Sequence, residues 1–225
     1  MSGIKVLSTI GMRTVLEDVT PAFERTNGVT VTRVYDSSIA LMKRIAAGET
    51  GDAAVFTAGA IDELIAQGRI ASRIDLTRSF VGIAVRKGAP QPDISTPDAF
   101  RKAMLAAKSI ARSETGASGL YFAGLIERLG LAGALNPKII VQDGIVGRLA
   151  ARGEAEIAVQ QISELMQADG IDIVGPLPEE LQSVTVFSGG VFKGSSVADL
   201  AAAYVTHLAA PGFAAVIRAK GMEPA

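Results

Sequence analysis

The chain has 225 residues, 48% of them hydrophobic and 20% charged, which bounds it to one large or two small packed globular domains and excludes a mainly disordered polypeptide. A formal net charge of −1 offers no broad attraction to nucleic acid or acidic membranes, although a local cationic cleft stays open. The absence of cysteine excludes disulfides and thiol catalysis, and a single histidine, His207, excludes a His-rich transition-metal site.

Ile4 to Ser8 reads as a short buried strand, and Met12 to Arg25 carries Val15, Leu16, Val19 and Phe23 at helical spacing. Ser8-Thr9-Ile10-Gly11 is then a strand-to-helix turn. Val29 to Tyr35 is a β-branched strand, and a helix follows from Ile39 to Ala47, with Asp36 or Ser37 suited to cap it. Gly48 and Gly51 close that helix, Ala53 to Phe56 is a strand, and Ile61 to Ile65 begins another helix. Three strand-helix units in succession predict a parallel sheet with helices on its faces, whose ligands bind beyond the strand C-termini.

Ile70 to Asp75 reads as a weak strand or connector and Ser79 to Val85 as a buried strand, followed by the punctuation Lys87-Gly88-Ala89-Pro90-Gln91-Pro92. A helix spans 97–107 with Pro97 in its first turn. The strand around Ile110 leads into Arg112-Ser113-Glu114-Thr115-Gly116-Ala117-Ser118-Gly119, a stretch whose glycines and hydroxyls suit a small-anion pocket at a helix N-terminus. Leu120 to Leu129 is that helix. Further strands are expected at 138–141, 157–160, 171–174 and 183–187, with a helix after Asp143-Gly144, a turn of helix at 162–167, and terminal helices at 196–209 and 213–218. His207 falls in the first of these terminal helices, where a surface or packing role is expected. The order divides the chain into a first α/β lobe, 1–80 plus 188–225, and a second, 81–187, with a hinge near 81 and 188.

The sequence resembles the periplasmic molybdate-binding proteins, the solute receptors of molybdate ABC transporters. The resemblance runs through Gly11-Met12-Arg13-Thr14-Val15-Leu16, Phe23-Glu24-Arg25-Thr26-Asn27-Gly28-Val29, Asp36-Ser37-Ser38, Ile45-Ala46-Ala47-Gly48-Glu49-Thr50-Gly51-Asp52-Ala53, Thr115-Gly116-Ala117-Ser118-Gly119 and Ala210-Pro211-Gly212. It implies an α/β, two-lobed type II periplasmic-binding-protein-like fold with mixed sheets flanked by helices, closing on one anion. The family's first-turn serine matches Gly11, its second-loop serine Ser37 or Ser38, its third loop Thr115 to Ser118 and its fourth contact Gly144, while its second-lobe tyrosine aligns near Gln160. Loss of the first hydroxyl and of the tyrosine argues against a standard molybdate pocket. Gln160, with both a donor and an acceptor, suits a carboxylate or a hydroxyl-bearing ligand, and Arg13, Arg78 and Arg112 lie near predicted loops where two converging guanidinium groups would clamp carboxylates.

The expected contacts are therefore Gly11, Arg13, Ser37, Ser38, Arg78, Arg112, Thr115, Gly116, Ser118, Gly144 and Gln160, with no metal and no cofactor. The expected function is a small-anion solute-binding protein that takes an organic carboxylate or oxyanion in the interlobe cleft. The sequence also resembles the aconitate isomerase branch of this superfamily, so an enzyme moving a proton on a tricarboxylate is the alternative, with Glu114, Asp36 or Tyr35 as its acid-base candidates. A cytoplasmic ligand sensor is a third. The expected partners are a small organic acid or oxyanion and, if the protein is exported, an ABC transporter permease; nucleic acid and direct membrane insertion are not expected. As written, the N-terminus lacks a basic segment followed by an apolar one, so a cytoplasmic location is expected, or a periplasmic one if a signal peptide has been removed.

Overall fold

Alternation of side chains along short β-branched strands decides which helix covers which face, and the chain uses this twice. A computed structural model describes residues 3–225, which divide into 3–79 with 185–225 and, separately, 80–184. The chain passes from the first unit to the second within the strand Ile74–Arg86 and returns at the start of the strand Val184–Val191.

The first unit contains β1 (Gly3–Thr9), α1 (Arg13–Asn27), β2 (Thr30–Asp36), α2 (Ser38–Ala46), β3 (Ala53–Thr57), α3 (Ala58–Ala66) and the start of β4 (Ile74–Arg86). A single 3₁₀ turn, Ile10–Met12, joins β1 to α1. Beyond the second unit follow β9 (Val184–Val191), α9 (Ala198–Leu208), α10 (Ala214–Ala219) and β10 (Met222–Pro224). Strand order here is β2-β1-β3-β9-β4, with β1 parallel to β2 and β3, β3 antiparallel to β9, and β10 antiparallel to β4. Ile4 and Val6 of β1 pack with Val15, Leu16 and Phe23 of α1 and with Tyr204 of α9, while Leu7 packs on the opposite face with Leu41, Ile45, Ile61 and Leu64 of α2 and α3. This is the period-2 rule for a strand buried on both sides.

The second unit contains the rest of β4, then α4 (Pro97–Ala106), β5 (Ile110–Arg112), α5 (Ala117–Arg128), α6 (Ala132–Leu135), β6 (Ile139–Val141), α7 (Gly147–Ala151), β7 (Ile157–Gln161), α8 (Ile162–Leu165) and β8 (Ile171–Pro176). β7 is parallel to β5 and β5 to β6, whereas β4 runs antiparallel to both β7 and β8. Val81, Ile83 and Val85 face α4 and α5 through Phe100, Phe122 and Leu125, and Ala84, Ala111 and Ala158 face Leu149 and Leu165. Both sheets are mixed and flanked by helices on both faces, the architecture the family resemblance implies.

Several elements differ from the sequence reading. The strong strand at 79–85 lies within a strand of 13 residues that takes in only Ile74 and Asp75 of the weak one, Ile70 making an isolated bridge to Phe192, and the strand expected at 183–187 runs on through the glycines that follow it. α6 and β10 carry no periodic signal, being four and three residues long. β10 exists because Met222 packs into the first unit's core and its backbone pairs opposite Ser79. His207 packs as expected: its ring lies against Phe23 and Phe213, with one ring nitrogen 3.1 Å from the Val19 carbonyl.

Tyr204, the largest fully buried side chain among the described residues, shares a 2.7 Å hydrogen bond with Thr20 between α9 and α1. Burial pushes its phenol well above the usual tyrosine range. Tyr204→Phe leaves the Thr20 hydroxyl buried without this partner and is expected to cost about 1–3 kcal/mol. The check is the urea midpoint at unchanged m-value.

Candidate functional site

Parallel pairing in register places the loops after consecutive strands at one sheet edge. In the first unit Thr9 stands opposite Asp36 and Ser8 opposite both Tyr35 and Val55, so the segments after β1, β2 and β3 emerge together. Gly11, Arg13, Ser37 and Ser38 all lie on this rim. Ser37 caps α2, its hydroxyl accepting from the Ala40 N–H at 3.1 Å, and the Asp36 carboxylate accepts from the Ser37 N–H at 2.8 Å. The buried Ser38 hydroxyl accepts from the Thr57 N–H at 3.2 Å and so ties the second loop to the third.

Gly11 is explained by packing: a Cβ there would stand 2.8 Å from the Phe187 ring. Arg13 begins α1 with its guanidinium carbon 4.8 Å from the centre of the Tyr35 ring, a cation–π arrangement. Its Nε is buried without a hydrogen-bond partner, and so is the Tyr35 hydroxyl. Burial is the main cause that pushes the Tyr35 phenol up to about 12, so it stays a donor at neutral pH. Arg78 belongs elsewhere in this unit: it stands exposed on β4 opposite Glu223, donating to the Pro224 carbonyl, in the C-terminal strand pairing rather than in the loops after β1 and β2.

In the second unit Arg112 stands opposite Val159 and Val141, which gathers the segments after β5, β6 and β7. Arg112, Thr115, Gly116, Ser118, Gly144 and Gln160 lie on this rim. Arg112 donates from Nη1 to the Ser113 carbonyl at 3.0 Å, and its Nε is buried without a partner. The Ser113 hydroxyl accepts from the Gly116 N–H at 3.1 Å, and a Cβ at either Gly116 or Gly119 would collide with Ser113. These glycines therefore serve a close approach of α5 to its own loop. Ser118, 0% exposed in the first turn of α5, has no partner for its hydroxyl. Thr115 donates to Asp143 through both N–H and hydroxyl, at 3.2 and 2.9 Å, joining the β5 and β6 loops.

Gln160 is 2% exposed and spends its amide inside the protein. Its oxygen accepts from the Val146 N–H at 2.9 Å and its nitrogen donates to the Gly144 carbonyl at 2.7 Å, Gly144 having the left-handed φ of 82° that glycine tolerates. The amide thus fixes the turn before α7. Of the three acid-base candidates, Glu114 is exposed and Asp36 is engaged with Ser37 and Arg44, which leaves Tyr35. The sequence reading missed Glu164, which follows β7 and is 8% exposed, with Oε2 lacking any partner. Burial pushes its carboxyl up to about 7, against hydrogen bonds from the Gln160 side chain and the Gln161 backbone. Only its place in the buried 157–165 run marks it in sequence. Among the described residues no group of three or more His, Cys, Asp or Glu is placed to hold a metal, and no single helix is long and apolar enough to cross a membrane.

This is the fold of a periplasmic solute receptor. It superposes on the periplasmic molybdate-binding protein of Azotobacter vinelandii with a TM-score of 0.81 at 19% identity, over 97% of this chain and 98% of that one. Residues 4–223 match the family described as bacterial extracellular solute-binding protein, and the chain belongs to that family. It is 36% identical to an aconitate isomerase of a Pseudomonas species over 98% of this chain and 87% of that protein. It is 23% identical to the molybdate-binding protein of Escherichia coli K12 over 97% of this chain and 88% of that protein. The extracellular description gives the expected cytoplasmic location no support.

Gly11→Ser restores the hydroxyl of the molybdate-binding family but drives Cβ into Phe187, so it is expected to destabilise the protein by about 1–3 kcal/mol. Pairing it with Phe187→Leu should return most of that loss in thermal melts. For Glu164, the raised folded-state value means that the folded chain keeps a proton that the unfolded chain releases. Wild-type stability relative to Glu164→Gln is therefore highest below about pH 4.5 and falls as pH rises through about 7, by on the order of 3 kcal/mol in total. Urea titrations of both proteins from pH 4 to 8 measure the difference.

Proposed function

We propose that this protein is a receptor for a small organic polycarboxylate, exported and serving an ABC transporter permease. The observation that carries this is the pair of rim arginines, Arg13 and Arg112, each with a buried Nε that no protein group satisfies. A buried guanidinium edge without a partner is costly, and a carboxylate is the planar anion that satisfies it bidentately. Ser118, the Tyr35 hydroxyl and the first-turn N–H groups of α5 supply uncharged donors. Gly11 lacks a side-chain donor and the Gln160 amide is occupied, which further separates this donor set from one built on hydroxyls for an inorganic oxyanion.

The second possibility is isomerisation of a tricarboxylate, favoured by the 36% identity to an aconitate isomerase across nearly the whole chain. Moving a double bond between allylic positions requires removing a proton from one carbon and delivering one to another. Tyr35, half-buried with its hydroxyl out of solvent, is the acid on the first unit's rim, and it would have to lose its proton to serve as a base. A cytoplasmic sensor gains no support from a family described as extracellular.

Calorimetric titration with citrate, cis- and trans-aconitate, molybdate and sulfate distinguishes these outcomes. Saturable binding of the carboxylates is expected, weakened at least about tenfold by either Arg13→Met or Arg112→Met at unchanged melting behaviour. Binding of molybdate or sulfate alone would overturn the carboxylate assignment. Interconversion of the aconitates, followed by proton NMR, would establish the enzyme in place of the receptor.

A further inference from the structure

Glu164 is a buried acid for which neither anion recognition nor proton transfer at the ligand has a direct use. It lies one turn past β7, with Gln160 between it and the rim. The planar amide of Gln160 makes three bonds: Oε1 accepts from the Val146 N–H, and the nitrogen donates to both the Gly144 carbonyl and the Glu164 carboxyl. A second donor, the Gln161 backbone N–H, also reaches that carboxyl, while Oε2 has none. The Val146 and Gly144 contacts fix which end of the amide is oxygen, and the carboxyl adds a further acceptor for the nitrogen, so that a change at Glu164 is passed to the turn through the same planar group.

We propose that Glu164 is a positioning residue for the second unit's rim: acting through Gln160 it holds the Gly144–Val146 turn, and its charge state is felt at the Val146 N–H. The surrounding charges leave it to act alone. β7 contributes no ionisable side chain; β8 contributes Asp172, held by the Gly88 N–H. The turn contributes Asp143, held by Thr115; α7 contributes Arg148 and β4 contributes Arg86, both exposed. None of these shifts Glu164, on which only burial and the two hydrogen bonds act. An anion at this rim disfavours ionisation of the carboxyl behind it, so binding is coupled to retention or uptake of a proton by Glu164, and affinity falls as the pH rises through neutrality. That coupling rests on the anion-receptor function proposed above; the mechanical link from Glu164 to the turn does not.

The test has two arms. In the ligand-free protein, nitrogen-15 NMR from pH 5 to 9 is expected to show the Val146 amide and the Gln160 side-chain amide titrating together near pH 7, with the transition abolished in Glu164→Gln. Flat amides, or a transition that survives in Glu164→Gln, would overturn the link whatever the ligand. In the second arm, trans-aconitate is titrated calorimetrically at pH 6, 7 and 8, the ligand's own ionisation being common to all proteins compared. Wild-type affinity is expected to fall severalfold more than that of Glu164→Gln, and Glu164→Leu to bind more weakly at every pH. Equal pH profiles for wild type and Glu164→Gln would overturn the proton coupling. No binding by either protein would refute the receptor function itself and the coupling with it, with the NMR arm still deciding the link.

Discussion

Parallel strand pairing in register is the constraint on which the site depends. A parallel pair has all its exits at one end, so once β1 aligns with β2 and β3, and β5 with β6 and β7, the segments that follow must share a rim. Residues with little in common in sequence become neighbours by this rule. Hydrogen bonds then convert adjacency into fixed geometry: Ser38 to Thr57 in one unit, Thr115 to Asp143 and Gln160 to Gly144 and Val146 in the other. These rim polar groups brace the loops, and in the function proposed above the same rims face the ligand.

That dual use explains how far the sequence could be read. The β-branched runs, the Ser37 cap and the Pro97 helix start are local signals, and each lies where local chemistry puts it. The glycine-hydroxyl stretch at 112–119 reads as a small-anion pocket in sequence, and what Gly116 and Gly119 accommodate in the structure is Ser113 of the same loop. Gly11 faces Phe187, 176 positions away in the chain, and no periodicity encodes such a contact. Gln160 invited a ligand-contact assignment because an amide can donate and accept; its partners are backbone groups 14 and 16 residues upstream. Glu164 carries no motif, and its place in the 157–165 run gains meaning only from the packing of Leu165 and its neighbours.

The arginines illustrate how chemistry can be read more securely than location. Three were plausible anion clamps by proximity to predicted loops. Two of them, Arg13 and Arg112, carry buried Nε atoms on the rims, whereas Arg78 contributes to the pairing of β10 with β4. Their surroundings differ as well: Arg13 rests on an aromatic ring, and Arg112 is braced by a backbone carbonyl. A guanidinium supported along one edge presents the other at little conformational cost.

The contact of Gly119 with Ser113 has a thermodynamic corollary. Because the helix start and the loop before it touch without room for a methyl group, they form one stiff piece, and Ser113 cannot swing away while α5 stays in place. In the receptor proposed above, an anion arriving at this rim would meet donors whose freedom was surrendered when the chain folded, so less entropy would be lost in the complex. Preorganisation of that kind lets a handful of contacts suffice for a small solute.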